Sequence, residues 1–578
     1  MLKKNLIVAR GLSVITTAAV VMSTFAGCGM RGDMATAPAP GDMTETSPAA
    51  ASSRAPLFEM PVYEEPAAAT EECEGTYDKG QGQVYNGCIV PGWDDCAPYP
   101  AHPYYSGAEE YDKEEENGFK LAATEPLSTF SADVDTASYT NVRRMILDGY
   151  AAGQIDPEAV RPEEFLNYFS YDLKDPKRGE KFGLTKEMSA CPWNPDHELL
   201  MVGMKTKPIE REDAKPSNLV FLIDVSGSMF GDDRLGLLQK GFRELTNELN
   251  DRDRVSIVTY ASGVNTVLEG ASGRDKKKII RALEGLSAGG STNGEGGLKL
   301  AYEVAEDNFI KGGNNRVILA TDGDLNVGIS SPDELKEFIE KKRESGVYLS
   351  VLGFGSGNLK DNRMETLADY GNGNYNYIDS LREARKVLVS EMSATLETVA
   401  DDVKLQVEFN PEYVSAYRLI GYENRMLAAT DFNDDTKDAG EIGAGHSVIA
   451  LYEIIPADSK DAISLKYGKK ESANGGMFDG EYATLSVRYK EPGAKESALT
   501  DVVIDKRDYQ SHPGDDFRFA AAVAEFAQIL AQSENAGNAS FESVLDLLDD
   551  TDLNDDEYKE EFAGLVQTLY LQERYTDF

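Results

Sequence analysis

The chain is short of positive charge. It carries 58 Lys+Arg against 100 Asp+Glu, a formal net charge of −42 at pH 7. No basic cluster reverses that sign, so nucleic acid and anionic lipid surfaces are repelled. Histidine is scarce, with only His102, His197, His446 and His512, and no Cys-x-x-Cys occurs. A zinc site is therefore not expected. Neither Gly-x-Ser-x-Gly nor a Walker A sequence is present, which removes the nucleophile elbow and the phosphate-cradling loop. Thr321-Asp322-Gly323-Asp324 lacks the phosphatase order of a nucleophilic Asp before a second Asp. His446, in Gly-Ala-Gly-His-Ser, reads as a turn residue, and Cys191 beside Pro192 and Trp193 as core or disulfide. No enzymatic activity is expected. Beyond residue 28 no run is long and apolar enough to cross a bilayer.

The N-terminus is the exception. Lys3, Lys4 and Arg10 precede a small, apolar run over residues 11–26, which stops at Phe25-Ala26-Gly27-Cys28. Small residues before a cysteine resemble the bacterial lipobox, with Phe25 where Leu is usual. Residues 1–28 are read as a lipoprotein signal peptide with Cys28 as the lipidated residue. The expected location is the cell membrane, lipid-anchored, on its extracytoplasmic face. Cys73, Cys88, Cys96 and Cys191 can then oxidise, with three possible pairings, or stay free. Arg31-Gly32-Asp33 follows the anchor too closely to be more than coincidence.

A chain of 578 residues exceeds one hydrophobic core. Residues 29–120 are rich in Ala, Pro and Ser, then acidic, and read as a disordered tether. Residues 121–210 read as a small α+β unit. Over 216–395 strands and helices alternate. The apolar runs Leu219–Ile223, Val255–Tyr260, Val317–Ala320 and Val347–Leu352 are separated by helical patterns such as Leu235, Leu238, Phe242, Leu245. Unbroken apolar strands between helices indicate an α/β doubly wound, Rossmann-like domain with a parallel sheet covered on both faces. Short alternating segments over 401–500 read as a β-sandwich. Residues 501–578 read as an acidic helical region, with 5 Lys+Arg against 19 Asp+Glu. The central segment is nearly balanced, with 22 against 27 over 216–395.

In a doubly wound sheet, loops at the carboxyl ends of the strands share one edge, where ligands bind. Asn-Leu-Val-Phe-Leu-Ile ends in Asp224-Val225-Ser226-Gly227-Ser228, and Val-Ile-Leu-Ala-Thr ends in Asp322-Gly323-Asp324. Between them Gly289-Gly290-Ser291-Thr292-Asn293 opens a helix. Two carboxylates and three hydroxyls are thus expected together. Hard oxygen donors without Cys or His suit Mg²⁺, Mn²⁺ or Ca²⁺. An isolated Asp-x-Ser-x-Ser would be a capped turn; here three segments coincide at the right places.

These three segments, in this order, resemble the metal-ion-dependent adhesion site of von Willebrand factor A domains. Pro126-Leu-Ser-Thr-Phe-Ser-Ala-Asp-Val-Asp135, Cys191-Pro-Trp-Asn-Pro, Tyr417-Arg-Leu-Ile-Gly-Tyr-Glu-Asn-Arg425 and the final region resemble a bacterial lipoprotein family with that domain at its centre. The likeness covers about residues 122–575. It implies that Ser226, Ser228 and Thr292 coordinate the metal, with Asp224 and Asp322 binding directly or through water. It further implies metal-dependent protein–protein interaction or adhesion, the partner offering a carboxylate to the ion. The rivals are a scaffold in which the metal is a staple, or a metal-dependent hydrolase. One weaker pattern is Asp550, Asp552, Asn554 and Glu561, spaced like a calcium-binding EF-hand loop. Asp555 stands where Gly is required and Glu557 where an apolar residue is, so the stretch reads as a solvated acidic linker.

Overall fold

The computed structural model describes residues 109–209, 213–323, 332–357, 359–392, 396–463 and 478–576. Cys28, Arg31-Gly32-Asp33, Cys73, Cys88, Cys96, Asp324 and most of the tether lie outside them. The first elements are β1 (Lys120–Leu121), β2 (Leu127–Ser131), α1 (Ala137–Leu147), α2 (Pro162–Asn167), β3 (Phe182–Cys191) and β4 (Asn194–Thr206). The central segment runs β5 (Ser217–Asp224), α3 (Leu235–Glu248), β6 (Arg254–Tyr260), β7 (Val264–Ser272), α4 (Lys276–Glu284), α5 (Gly294–Asp307) and β8 (Asn314–Thr321). It continues through α6 (Pro332–Glu344), β9 (Tyr348–Phe354), α7 (Asp361–Tyr370), β10 (Tyr375–Ile378) and α8 (Leu381–Arg385). Then come β11 (Thr398–Phe409), β12 (Val414–Ile420), β13 (Gly440–Gly443), β14 (Ser447–Pro456), β15 (Glu481–Lys490) and β16 (Ser497–Asp505), followed by α9 (Asp515–Leu530), α10 (Phe541–Asp549) and α11 (Glu557–Thr576).

The central sheet has the order β10-β9-β8-β5-β6-β7. Every residue of β5 is buried, as a middle strand covered on both faces requires. Leu219, Phe221 and Ile223 pack with Leu238, Phe242 and Leu245 of α3 on one face. Val220 and Leu222 pack with Leu298 and Tyr302 of α5 on the other. The sheet is parallel except at one edge, where β7 pairs antiparallel with β6. The expectation of a purely parallel sheet missed β7 because Val-Asn-Thr-Val-Leu-Glu is largely exposed and lacks a continuous apolar run.

Outside this domain, strand pairing crosses the divisions suggested by the sequence. β2 pairs with β11, β4 with β14, and β1 with β12, all antiparallel. The strands of 121–210 therefore do not form a unit of their own. They complete two sheets with the strands of 401–500, β1-β12-β14-β4-β3 and β13-β11-β15-β16, and the central domain is inserted between the two halves. One hydrophobic core, with Val202, Met204, Leu405, Val407, Tyr452 and Val487, fills the space between the sheets. The opposite face of the β4–β14 sheet, including Leu199, Met201 and Leu451, is covered by α1, α2 and the C-terminal helices through Tyr139, Phe165, Phe519, Phe526 and Phe562. Part of the expected tether is likewise pinned. The Glu110 amide donates to the Leu359 carbonyl at 2.9 Å and Asn117 Nδ2 to the Gly421 carbonyl at 2.8 Å. Those partners are far along the chain, so local composition carries no trace of them.

Candidate functional site

Parallel pairing sets β5 beside β8, with Ile223 opposite Ala320. Asp224 and Asp322 thus leave neighbouring strands at the same edge, both buried, at 0% and 4% exposure. Asp224 is held from two sides. Its Oδ1 accepts the Ser226 amide at 2.8 Å and its Oδ2 accepts the Thr321 hydroxyl at 3.1 Å. The first bond closes a tight turn over 224–226, which aims the following hydroxyls back at the strand end. Ser226 Oγ lies 2.9 Å from Ser228 Oγ. Ser226 is buried and Ser228 exposed, so the hydroxyl pair runs from the protein interior to solvent.

The third segment is fastened to the first by backbone bonds. The Gly227 amide donates to the Gly290 carbonyl at 3.0 Å, and the Gly289 amide to the Val225 carbonyl at 2.8 Å. Glycine is required at 290: its φ is +94°, and an added Cβ would stand 2.6 Å from Ser262 Oγ. Asn293 then caps α5, its side chain accepting the Gly296 amide at 3.2 Å. Thr292 is half-buried between the fastened glycines and the cap. The structure therefore brings Asp224, Ser226, Ser228, Thr292 and Asp322 to one edge, as the order of the segments suggested.

Burial pushes the Asp224 carboxyl up to about 6, against the bonds from Ser226 and Thr321, and the neighbouring Asp322 adds to the rise. Two carboxylates share a poorly solvated place, and a cation there would relieve both. Hydroxyls and carboxylates are hard donors. Among the described residues no group of three His, Cys, Asp or Glu side chains is placed to hold a metal. Any ion at this edge must take the Ser and Thr oxygens as well, and the arrangement fits that requirement.

Two features of the edge were not legible beforehand. Thr321 belongs to the motif, yet its role as a clamp on Asp224 needs the β5–β8 register. Arg234 is the second. Its Nε lies 3.9 Å from Asp322 Oδ2 and its Nη2 donates to the Ser356 carbonyl at 2.7 Å. Gly355, with φ +72°, leaves the space: an added Cβ would meet Arg234 Nε at 2.4 Å. A lone arginine just before a helix gives no signal in sequence.

The weaker patterns resolve differently. Cys191 is a free, buried thiol, whose pKa burial raises. His446 follows the turn at 444–445 and gives its carbonyl to the Thr206 amide at 2.9 Å. The Asp550–Glu561 stretch does not converge on a cation. Glu561 turns inward to Arg143, at 3.4 Å, and to Arg382, while Asp556 Oδ1 accepts the Tyr558 amide at 2.9 Å as the start of α11.

Comparison with known proteins finds three matching families. Residues 218–389 match the von Willebrand factor type A domain, residues 105–201 a family described as von Willebrand factor, and residues 394–571 the C-terminal family of "Uncharacterized protein YfbK". The Escherichia coli (strain K12) protein of that name is 43% identical over 470 residues, covering 80% of this chain and 81% of its own. Inter-alpha-trypsin inhibitor heavy chain H3 of Mesocricetus auratus is 30% identical over 161 residues, 26% of this chain and 18% of that protein. Among solved structures, a von Willebrand factor type A protein from Catenulispora acidiphila aligns over 69% of this chain and 91% of its own, at 14% identity and TM-score 0.39.

Proposed function

The chain belongs to the family of Escherichia coli YfbK, with a von Willebrand factor type A domain at its centre, and on that premise we propose that the strand edge around Asp224 binds a divalent cation and through it a protein partner. The ligands are Asp224, Ser226, Ser228, Thr292 and Asp322, and the ion is Mg²⁺, with Mn²⁺ or Ca²⁺ as the alternatives. The carrying observation is the buried pair Asp224 and Asp322 beside the Ser226–Ser228 hydroxyl pair, 2.9 Å apart, at the ends of adjacent parallel strands. Bound there, the cation supplies a positive centre that attracts a carboxylate. The chain's own part is positional. Thr321 and the Ser226 amide hold Asp224 in one orientation, and the Gly289–Gly290 bonds hold Thr292 across from it.

Three of the five donors carry no formal charge, so Asp224 and Asp322 at most balance a divalent cation at this edge, which stays able to accept an Asp or Glu of a partner as a further ligand. Phe230, directly after the buried Met229, is 80% exposed. An exposed aromatic beside a charged anchor is the composition of an interaction hot spot. The rest of the placement is part of the same proposal: Cys28 carries the lipid, and the domain faces out from the membrane.

Thermal unfolding of the full chain with and without Mg²⁺ tests the metal. At a hundred times its dissociation constant, the ion should add about 2.7 kcal/mol to stability. Asp224→Ala should remove the shift, and an equal shift in both proteins would place the metal elsewhere. Partner capture from native extract should be lost in EDTA and in Thr292→Ala. Capture that persists in EDTA refutes a metal-borne contact.

A further inference from the structure

We propose that Glu109, in the acidic segment ahead of β1, keeps the strand-edge cation site in a weaker-binding state by fixing residues 355–357 and, through them, Arg234. The inference rests on the metal reading above and adds a control on it from outside the central domain.

The geometry begins at the sheet edge. β9 pairs parallel with β8, Gly353 opposite Thr321, so the loop after β9 leaves the sheet beside Asp322. Arg234 reaches that loop. Its Nη2 donates to the Ser356 carbonyl at 2.7 Å, while its Nε stands 3.9 Å from Asp322 Oδ2. The Ser356 carbonyl therefore helps to keep a positive charge against a metal ligand. Glycines flank Ser356, with φ +72° at 355 and +86° at 357, and give the loop little stiffness of its own. It is held from outside at both ends. The Tyr377 hydroxyl donates to the Gly355 carbonyl at 2.6 Å, and the Gly357 amide donates to Glu109 Oε1 at 2.8 Å.

Glu109 is firmly seated, its side chain 14% exposed. Arg144 Nη2, on α1, donates to both its oxygens at 3.2 and 3.3 Å, and the Tyr111 hydroxyl donates to Oε2 at 2.9 Å. The residues that follow are fastened around the start of α7: Lys360 Nζ donates to Glu110 Oε1 at 2.7 Å and Asn362 Nδ2 to Asp112 Oδ1 at 2.9 Å. One carboxylate thus joins α1 to the loop that positions Arg234. Once Glu109 lets go, the Ser356 carbonyl loses its fixed place. The exposed Asp233, 3.3 Å from Arg234 Nη1, then offers the guanidinium another seat. A positive charge withdrawn from Asp322 lets a cation bind more tightly. The direct effect of deleting a carboxylate is the reverse, weaker cation binding, so the sign of the change separates the two.

Calorimetric titration of the full chain with MgCl₂ tests this. Glu109→Ala should bind Mg²⁺ at least about threefold more tightly than wild type. Glu109→Gln keeps an oxygen for the Gly357 amide and should bind as wild type does. Tyr377→Phe, which frees the loop at its other end, should tighten binding in the same direction. In an Arg234→Met background, Glu109→Ala should have no further effect. Without metal, hydrogen exchange of the Gly357 amide should be faster in Glu109→Ala than in Glu109→Gln, with β5 amides unchanged. The proposal is overturned if both Glu109→Ala and Tyr377→Phe bind as wild type or more weakly, if Glu109→Gln behaves as Glu109→Ala, or if the gain persists in Arg234→Met. Those results leave the metal reading standing provided that wild type binds Mg²⁺ and Asp224→Ala does not. Absence of binding in wild type overturns both.

Discussion

Arg143 offers the sharpest test of how the inserted domain is held. It projects from α1, outside the central domain, and two of its four partners, Asp379 and Glu383, lie within it. Nη2 and Nε grip Asp379 at 2.6 and 2.7 Å, and Nη2 also donates to Glu383 at 2.8 Å. Nη1 donates to the Tyr168 hydroxyl at 2.6 Å and lies 3.4 Å from Glu561 of α11. The side chains of Arg143, Asp379 and Glu383 are 2%, 6% and 0% exposed. Arg143→Met keeps the length of the side chain and removes its charge, leaving two buried carboxylates facing each other. Breaking a buried pair from one side costs about 3–5 kcal/mol, because the stranded charge is not resolvated. By contrast, Arg144 and Asp148 lie 3.7 Å apart with Asp148 53% exposed, and losing that contact should cost at most about 1 kcal/mol. Urea unfolding of Arg143→Met and Asp148→Ala against wild type separates the two cases. Adding Glu383→Gln to Arg143→Met should recover part of the loss by removing one stranded charge. A loss below about 1 kcal/mol in Arg143→Met, or no recovery in the double variant, would show that the network does not clamp the domains.

At the strand edge, Arg234 places a positive charge 3.9 Å from Asp322; Arg234→Met should tighten Mg²⁺ binding roughly tenfold by removing that repulsion, and unchanged affinity by calorimetry would show that its charge is not felt. Glu198 is partly buried, and burial with help from Asp458 raises its pKa from 4.5 to about 7. Its folded form therefore holds a proton that the unfolded chain has lost, so stability falls as pH rises across that interval. Glu198→Gln should match wild type at pH 4 and exceed it by about 1 kcal/mol at pH 8 after allowance for solvent screening; equal urea midpoints at pH 8 would contradict the burial penalty. Cys28→Ala should move the protein from the membrane to the soluble fraction, and a variant that stays with membranes would mean that the apolar segment itself is the anchor.

Much of the site was legible because it is written in short-range patterns. The runs ending at Asp224 and Thr321 are apolar on both faces, which only a covered parallel strand tolerates. A parallel sheet puts such ends on one side, so the order of the three polar loops sufficed to gather Asp224, Ser226, Ser228, Thr292 and Asp322. The turn chemistry of Asp224-Val225-Ser226 and the cap at Asn293 are equally local, each bond spanning two or three residues.

What the tertiary structure alone decided is everything that depends on pairing across long stretches of chain. β4 and β14 each alternate or run apolar like strands of any antiparallel sheet, and nothing in either names the other as neighbour. The insertion of the central domain, the joining of residues before and after it into two sheets, and the helical layer over Leu199 and Leu451 follow from burying faces that no local segment can cover by itself. The same holds for Arg143 and Arg234. Their partners come from segments distant in sequence, and a charge in a sequence reads as surface until the fold shows what it faces. Periodicity records which face of an element is apolar; it carries no record of which other element covers that face, because any apolar face of matching shape would serve.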